Sequence, residues 1–349
     1  MPESQPIAVV GAGSFGTALA SHLAEAGHHT QLVARLQSVA DEVNERRQNQ
    51  RYLPGVTLSE RLRATFDPLA IKEAQIVLLA VPSHAMRDAC KAIVEHVDRQ
   101  AYVVHATKGL EVATGNRMSE VILQELPQVS RNRLAVLSGP SHAEELSRAL
   151  PTTMVAASAS KSTAELIQEV FMGRNLRIYT NPDVVGVELG GSLKNIIALG
   201  CGISDGLGFG DNAKAALLTR GLVEITRLGM GMGASFATFS GLTGIGDLIV
   251  TGTSKHSRNW QAGHLLGQGL ALDEALARVG MVVEGVRTTQ VAVRLAHQYR
   301  VQMPIASALY EVLFDGKSPR VAVEELMGRS RRHEMEEFVH DSVMNWPSP

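Results

Sequence analysis

The sequence predicts an α/β protein: a doubly wound sheet in the N-terminal half, followed by an all-helical C-terminal domain. Three observations predict it. The first half alternates short β-rich runs with amphipathic stretches. A glycine-rich hexapeptide follows the first of those runs directly. Beyond about Gly186 the strand-like runs stop, and Ala, Leu, Met and small residues recur at helical spacing.

In chain order, Ile7 to Val10, Thr30 to Ala34, Ile76 to Val81, Ala101 to His105, Leu134 to Leu137 and Thr153 to Ala157 read as strands. Thr17 to Ala26, Ser38 to Arg47, Ala85 to Val97 and Met118 to Leu126 have helical periodicity between them, which makes βαβ units and a parallel sheet the economical reading. Leu193 to Leu199, Ala213 to Leu228, Ala271 to Val279 and Thr288 to Tyr299 supply the later helices. The turn-rich tetrad Thr180-Asn181-Pro182-Asp183 marks the boundary, giving domains over 1–183 and 184–349. The end of the chain, from about Asp341 through Asn345-Trp346-Pro347-Ser348-Pro349, reads as a frayed tail without an assigned role.

A chain of 349 residues with 45 % hydrophobic and 19 % charged side chains buries enough surface for two cores. Its net charge of -2 gives no basic field for a sequence-independent grip on nucleic acid. No uninterrupted apolar run reaches the roughly 20 residues that span a bilayer, so membrane insertion is not expected. Two distant cysteines, Cys90 and Cys201, and the absence of a charged-then-apolar leader indicate a reducing cytoplasm and no disulfide. No metal site is expected. Stripes of small residues and methionine in the helical half serve an internal core or a homodimer seam.

Gly11-Ala12-Gly13-Ser14-Phe15-Gly16 matches G-x-G-x-x-G where a strand turns into a helix. There Gly11 permits the tight turn, Gly13 lets the backbone approach a pyrophosphate, and Gly16 lets the helix pack on the strand, as in Rossmann-like dinucleotide sites. An NAD-preferring site carries an acid about 20 residues on. That neighbourhood here is Leu32-Val33-Ala34-Arg35-Leu36. Arg35 fits a 2′-phosphate and favours NADPH, or else it is a solvated surface arginine.

Ligands in such sheets bind beyond the carboxyl ends of the strands. Three loops qualify: Val81-Pro82-Ser83-His84, Ala106-Thr107-Lys108-Gly109 and Ser138-Gly139-Pro140-Ser141-His142. In the helical half, Lys194 stands among small and apolar neighbours, where desolvation would lower its pKa toward the range of proton transfer. Gly244-Ile245-Gly246-Asp247 and Ser257-Arg258-Asn259 follow, the latter a phosphate clamp or an ordinary helix cap.

These motifs, in this order, resemble the bacterial-type NAD(P)-dependent glycerol-3-phosphate dehydrogenases from about Ile7 to beyond Leu326. Tyr52-Leu53-Pro54-Gly55, Gly190-Gly191-Ser192-Leu193-Lys194-Asn195, Gly206-Leu207-Gly208-Phe209-Gly210-Asp211-Asn212-Ala213 and Val282-Val283-Glu284-Gly285 belong to the same likeness. The resemblance implies reversible reduction of dihydroxyacetone phosphate to sn-glycerol 3-phosphate for phospholipid synthesis, with NADP or NAD as cofactor. It implies that Lys194 handles the proton and that Lys108 holds and polarises the substrate oxygen. Gly139, Ser141, Asp247, Ser257, Arg258 and Asn259 would line the substrate. Gly11, Gly13, Ser14, Phe15, Gly16, Arg35, Lys108, Ala143, Arg258, Val282 and Glu284 would meet the cofactor. The chain departs from the family pattern at Phe15, where Trp or Tyr is common, at His142, where Phe is usual, and at Gly252, where Cys is usual. His142 is read as a bystander at the cleft edge.

Two other readings compete. Dehydrogenases of the 6-phosphogluconate, 3-hydroxyacyl-CoA and ketopantoate types share a Rossmann half followed by helices, but would carry their own substrate motifs. A dinucleotide-binding redox sensor without turnover could dispense with Lys194 and the Ser257-Arg258-Asn259 tripeptide.

Overall fold

The computed structural model describes residues 4–330; the expected frayed tail lies outside them. In the N-terminal half, strands β1 (Pro6–Val10), β2 (His29–Val33), β3 (Arg63–Thr65), β4 (Ile76–Leu79), β5 (Tyr102–His105), β6 (Leu134–Ser138), β7 (Thr152–Ala157) and β8 (Leu176–Asn181) form one sheet. Between them run helices α1 (Ser14–Glu25), α2 (Gln37–Arg46), α3 (Met86–Ile93), α4 (Met118–Glu125), α5 (Ala143–Ser147) and α6 (Lys161–Phe171). The sheet order is β3-β2-β1-β4-β5-β6-β7-β8. All-apolar strands such as β4, buried along its length, reflect helices packed on both faces.

Two features correct the sequence expectation. The sheet is not wholly parallel: β7 pairs antiparallel with β6, while β8 is parallel to β7. β3 and β8 were also not expected. β3 is only three residues long, and β8 is the edge strand at the other end of the sheet, alternating buried Leu176 and Ile178 with exposed Arg177 and Tyr179. β8 runs through Thr180 and Asn181, so the turn shrinks to Pro182 and Asp183. The Asp183 carboxylate then caps the next helix, accepting from Gly186 N at 2.9 Å.

That helix, α7 (Val184–Gly206), is the axis of the C-terminal half. Around it lie α8 (Asp211–Gly231), α9 (Phe236–Phe239), α10 (Asp247–Thr253), α11 (Arg258–Gly267), α12 (Leu272–Val279), α13 (Glu284–Tyr299), α14 (Pro304–Phe314) and α15 (Pro319–Met327). α7 is far longer than its Leu193 to Leu199 segment suggested, because it is buried on nearly every side and so lacks an amphipathic stripe. It is long and apolar enough to cross a bilayer, yet it is enclosed by the protein's own helices. Its closest neighbour is α11, where backbones nearly touch: a Cβ at Gly202 would lie 2.1 Å from Trp260 O, and one at Gly263 2.0 Å from Leu199 O. Cys90 and Cys201 are free and buried, and burial pushes both thiols up to about 12.

Candidate active site

The winding direction of the sheet reverses at β1, whose neighbours are β2 and β4, so a crevice opens between the loops that follow β1 and β4. The β1–α1 turn is the glycine hexapeptide. Gly11 has φ +111°, and a Cβ there would lie 2.6 Å from Ala80 O. A Cβ at Gly16 would lie 2.0 Å from Gly11 O, whereas at Gly13 it would meet nothing within 4 Å. The turn is therefore closed toward the sheet and open at Gly13. α1 starts there with no capping side chain and no acid in its first turn, so its N–H groups and dipole face outward. This arrangement fits the diphosphate of a dinucleotide.

Buried Asn49 braces the turn, donating to Ala12 O at 3.0 Å and to Thr17 Oγ1 at 2.9 Å. The Ser14 hydroxyl donates to Tyr52 O at 2.5 Å, so Ser14 can serve an anion only through its backbone. Phe15 is half-buried and packs on the sheet core. Arg35, just past β2, is exposed and has no partner among the described residues. Ala143 is buried at the start of α5, and Val282 is half-buried ahead of α13. Glu284 opens α13, and its carboxylate accepts from Ser83 N at 2.9 Å and from Ser83 Oγ at 2.5 Å. Glu284 thus pins the loop after β4 to the helical half.

The second half of the site is a cluster of two ammonium groups on one carboxylate. Lys108 follows β5, Lys194 lies in the middle of α7, and Asp247 begins α10 after a π-helical turn, Leu242–Gly246. Lys108 Nζ lies 2.7 Å from Asp247 Oδ2, and Lys194 Nζ 2.6 Å from Asp247 Oδ1. The side chains are 19 %, 5 % and 2 % exposed for Lys108, Lys194 and Asp247, so the cluster is open to solvent from the Lys108 side alone. Lys108 also donates to Gly139 O at 2.8 Å and approaches Ser141 Oγ at 3.5 Å. Lys194 also donates to Thr251 Oγ1, whose own O–H donates a hydrogen bond to Asp247 O.

Burial lowers the Lys194 pKa to about 7; Asp247 opposes that shift, while Lys108 and Arg258 add to it. Burial works against the Asp247 carboxylate, but Lys108 and Lys194 outweigh it and hold its pKa below the usual range. Asp247, expected to line the substrate, has both oxygens occupied by lysines and acts as their shared counter-charge. An ammonium group has three N–H donors. Lys194 uses two of them within the protein, so one remains for a ligand oxygen.

The Ser257-Arg258-Asn259 tripeptide divides. Ser257 is the helix cap of α11, accepting from Trp260 N at 3.3 Å. Asn259 is a structural link: its Nδ2 donates to Asn195 Oδ1 at 3.0 Å and its Oδ1 accepts from Gly285 N at 2.8 Å. Asn195 in turn donates to Lys108 O at 3.3 Å, so the amide chain ties α11, α13 and α7 to the Lys108 loop. Arg258, exposed and without a partner among the described residues, is the free cation of the three.

Sequence reasoning missed several supporting groups. Thr251 is one turn after Asp247, a spacing that places both on one helix face once α10 is assigned. Glu188 is a charge inside the apolar stretch of α7 and is fully buried. It accepts from Ser119 N at 2.7 Å, Ser119 Oγ at 2.6 Å and Arg117 Nη1 at 2.6 Å. His105 Nε2 lies 3.1 Å from Glu188 Oε1. Burial opposes the charge, but His105, Arg117 and Ser119 hold the Glu188 pKa down at about 2. This network joins β5, just before Lys108, to α7, just before Lys194, and so braces both lysines. Ser138 Oγ, at the end of β6, and His142 Nε2, on the loop that follows, are buried and lack a partner among the described residues.

Comparison with known proteins gives one consistent result. Residues 6–164 match the model of the NAD-dependent glycerol-3-phosphate dehydrogenase N-terminus, and residues 183–324 that of the C-terminus. The glycerol-3-phosphate dehydrogenase (NAD(P)+) of Shouchella clausii is 53 % identical over 334 residues, covering 95 % of this chain and 98 % of the relative. That of Bacillus subtilis is 51 % identical over 335 residues, covering 96 % and 97 %. The crystal structure of glycerol-3-phosphate dehydrogenase from Coxiella burnetii superposes with a TM-score of 0.89 at 38 % identity, over 93 % of this chain and 99 % of the other. With both halves matched and its lysines converging on Asp247 beside an open dinucleotide turn, this chain belongs to the NAD-dependent glycerol-3-phosphate dehydrogenase family.

Proposed function

We propose that the protein reduces dihydroxyacetone phosphate to sn-glycerol 3-phosphate, reversibly, with NADPH or NADH, in the cytoplasm, supplying backbones for phospholipids. The observation that carries this reading is the buried Lys194 ammonium, 2.6 Å from the carboxylate it shares with Lys108, where burial lowers its pKa to about 7 and so suits it to give up a proton near neutrality.

A bound nicotinamide supplies the hydride to C2 of the ketone, and the chain's own residues do the rest. Lys108 and Lys194 face the carbonyl oxygen together, so negative charge growing there meets two cations in a cleft where water screens little. Lys194 delivers its proton to that oxygen and, in the reverse direction, takes it back. Asp247 holds both ammonium groups in place without competing for the proton, since its own pKa is depressed. Arg258, at the N-terminus of α11, grips the phosphate, and this remote binding orients a three-carbon substrate that has few other handles. A redox sensor has no use for the buried lysine pair.

Adding dihydroxyacetone phosphate to the purified protein with NADPH, or with NADH, should oxidise the cofactor catalytically. Cofactor binding without turnover would favour the sensor. Arg35 makes NADPH the favoured partner. Arg35→Ala should raise KM for NADPH by about 10- to 100-fold, the scale of a lost charged hydrogen-bonding pair, while KM for NADH changes less than about threefold. Equal changes for both would return Arg35 to a solvated surface arginine.

A further inference from the structure

We infer that His142 is a specificity-determining residue that recognises the free hydroxymethyl end of the substrate. The inference rests on the reaction proposed above. His142 occupies the N-cap of α5, where Ser, Thr, Asp or Asn would normally bond to the helix, yet its side chain makes no cap hydrogen bond. Its backbone serves the helix instead, His142 O accepting from Leu146 N at 3.0 Å. Nε2 is buried without a partner among the described residues, and the same holds for Ser138 Oγ at the end of β6. A buried ring nitrogen left unsatisfied is costly, and such atoms are paired in working proteins by solvent or ligand.

The surroundings identify that ligand group. The loop is the one that supports Lys108 through Gly139 O and Ser141 Oγ. Burial, then Lys194 and Lys108, lower the His142 pKa and so favour the neutral ring. A neutral imidazole is a poor partner for phosphate, which belongs with Arg258, and the carbonyl oxygen belongs with the two lysines. The polar group of dihydroxyacetone phosphate that remains is the C1 hydroxyl, an uncharged donor and acceptor that suits either ring tautomer. The imidazole of His256 lies 6.2 Å away between ring centroids and is exposed.

The test compares kcat/KM for dihydroxyacetone phosphate with that for hydroxyacetone phosphate, which lacks only the C1 hydroxyl. The wild type should prefer the hydroxylated ketone by roughly 5- to 100-fold, the range for an unpaired buried hydrogen-bonding group. His142→Phe should reduce that preference below about threefold, and His142→Gln, which keeps a polar amide, should restore part of it. A preference unchanged in the Phe variant, or absent from the wild type, overturns the inference. Turnover of neither ketone by the wild type would instead overturn the proposed reaction. Should the Phe variant not fold, 15N-histidine spectra of the wild type decide. The His142 resonance should move with saturating sn-glycerol 3-phosphate and not with propane-1,2-diol 1-phosphate. Equal movement with both contradicts the assignment.

Discussion

Lys194→Ala should lower kcat for dihydroxyacetone phosphate reduction by about 100-fold or more, the scale of a lost general acid, with cofactor affinity nearly unchanged. The position of Lys194 explains why no neighbour can replace it. Thr251 is a hydroxyl, Asp247 is held ionised, and Lys108 is more exposed and already tied to Gly139 O. The pH profile carries a second signature. A folded-state pKa of about 7 means that ketone reduction, which needs protonated Lys194, should fall as pH rises through 7. Oxidation of glycerol 3-phosphate, which needs the neutral amine, should rise through the same interval. Steady-state rates in both directions from pH 6 to 9 check this. The same limbs surviving in the Ala variant would assign the proton to another group.

Asp247→Asn should act on stability and activity together. The substitution leaves two ammonium groups side by side without a counter-charge, and breaking a buried pair in this way costs about 3–5 kcal/mol. Loss of Asp247 also removes the influence that opposes the lowering of the Lys194 pKa, so the amine loses its proton below neutrality and reduction slows further. Because the folded pKa of Lys194 lies below its unfolded value, the folded state binds fewer protons and stability rises with pH across that interval. Without Asp247 the folded pKa of Lys194 falls further below 7, so the deficit should be largest at acid pH and shrink as pH rises to about 7, beyond which both proteins gain stability alike, as thermal melts of both would reveal. A deficit independent of pH would mean that Asp247 is a packing residue and not the shared counter-charge.

Elements with a strong local signal were legible in the sequence. The glycine turn is visible because Gly11 and Gly16 are imposed by contacts within the turn and with the adjacent strand. Lys108 and Lys194 stood out as charges among small and apolar residues. What was hidden depends on tertiary pairing. β8 reads as polar because it is an edge strand with one buried face, and the antiparallel β6–β7 pairing depends on chain direction, which no residue pattern encodes. α7 looked short because a helix buried all round has no periodicity to find.

The site followed the same division. Ser257-Arg258-Asn259 was read as a phosphate clamp or a helix cap, and the structure makes Ser257 the cap of α11, ties Asn259 to α7 and α13, and leaves Arg258 without a partner among the described residues. Asp247 was grouped with the substrate-lining residues because its spacing along the chain gives no hint that two distant lysines converge on it. His142 was set aside as a bystander because Phe is usual at that position in the family, and the sequence carries no sign that its Nε2 is buried without a partner among the described residues.

The central claim is that this cleft passes hydride to C2 of a phosphorylated ketose while Lys194 supplies the proton. Its most direct test is product analysis by mass spectrometry and NMR after incubation of dihydroxyacetone phosphate with NADPH deuterated at both C4 positions. The account predicts sn-glycerol 3-phosphate carrying one deuterium at C2 and none elsewhere. Unlabelled product, or cofactor that remains bound and unoxidised with the ketone untouched, would contradict it.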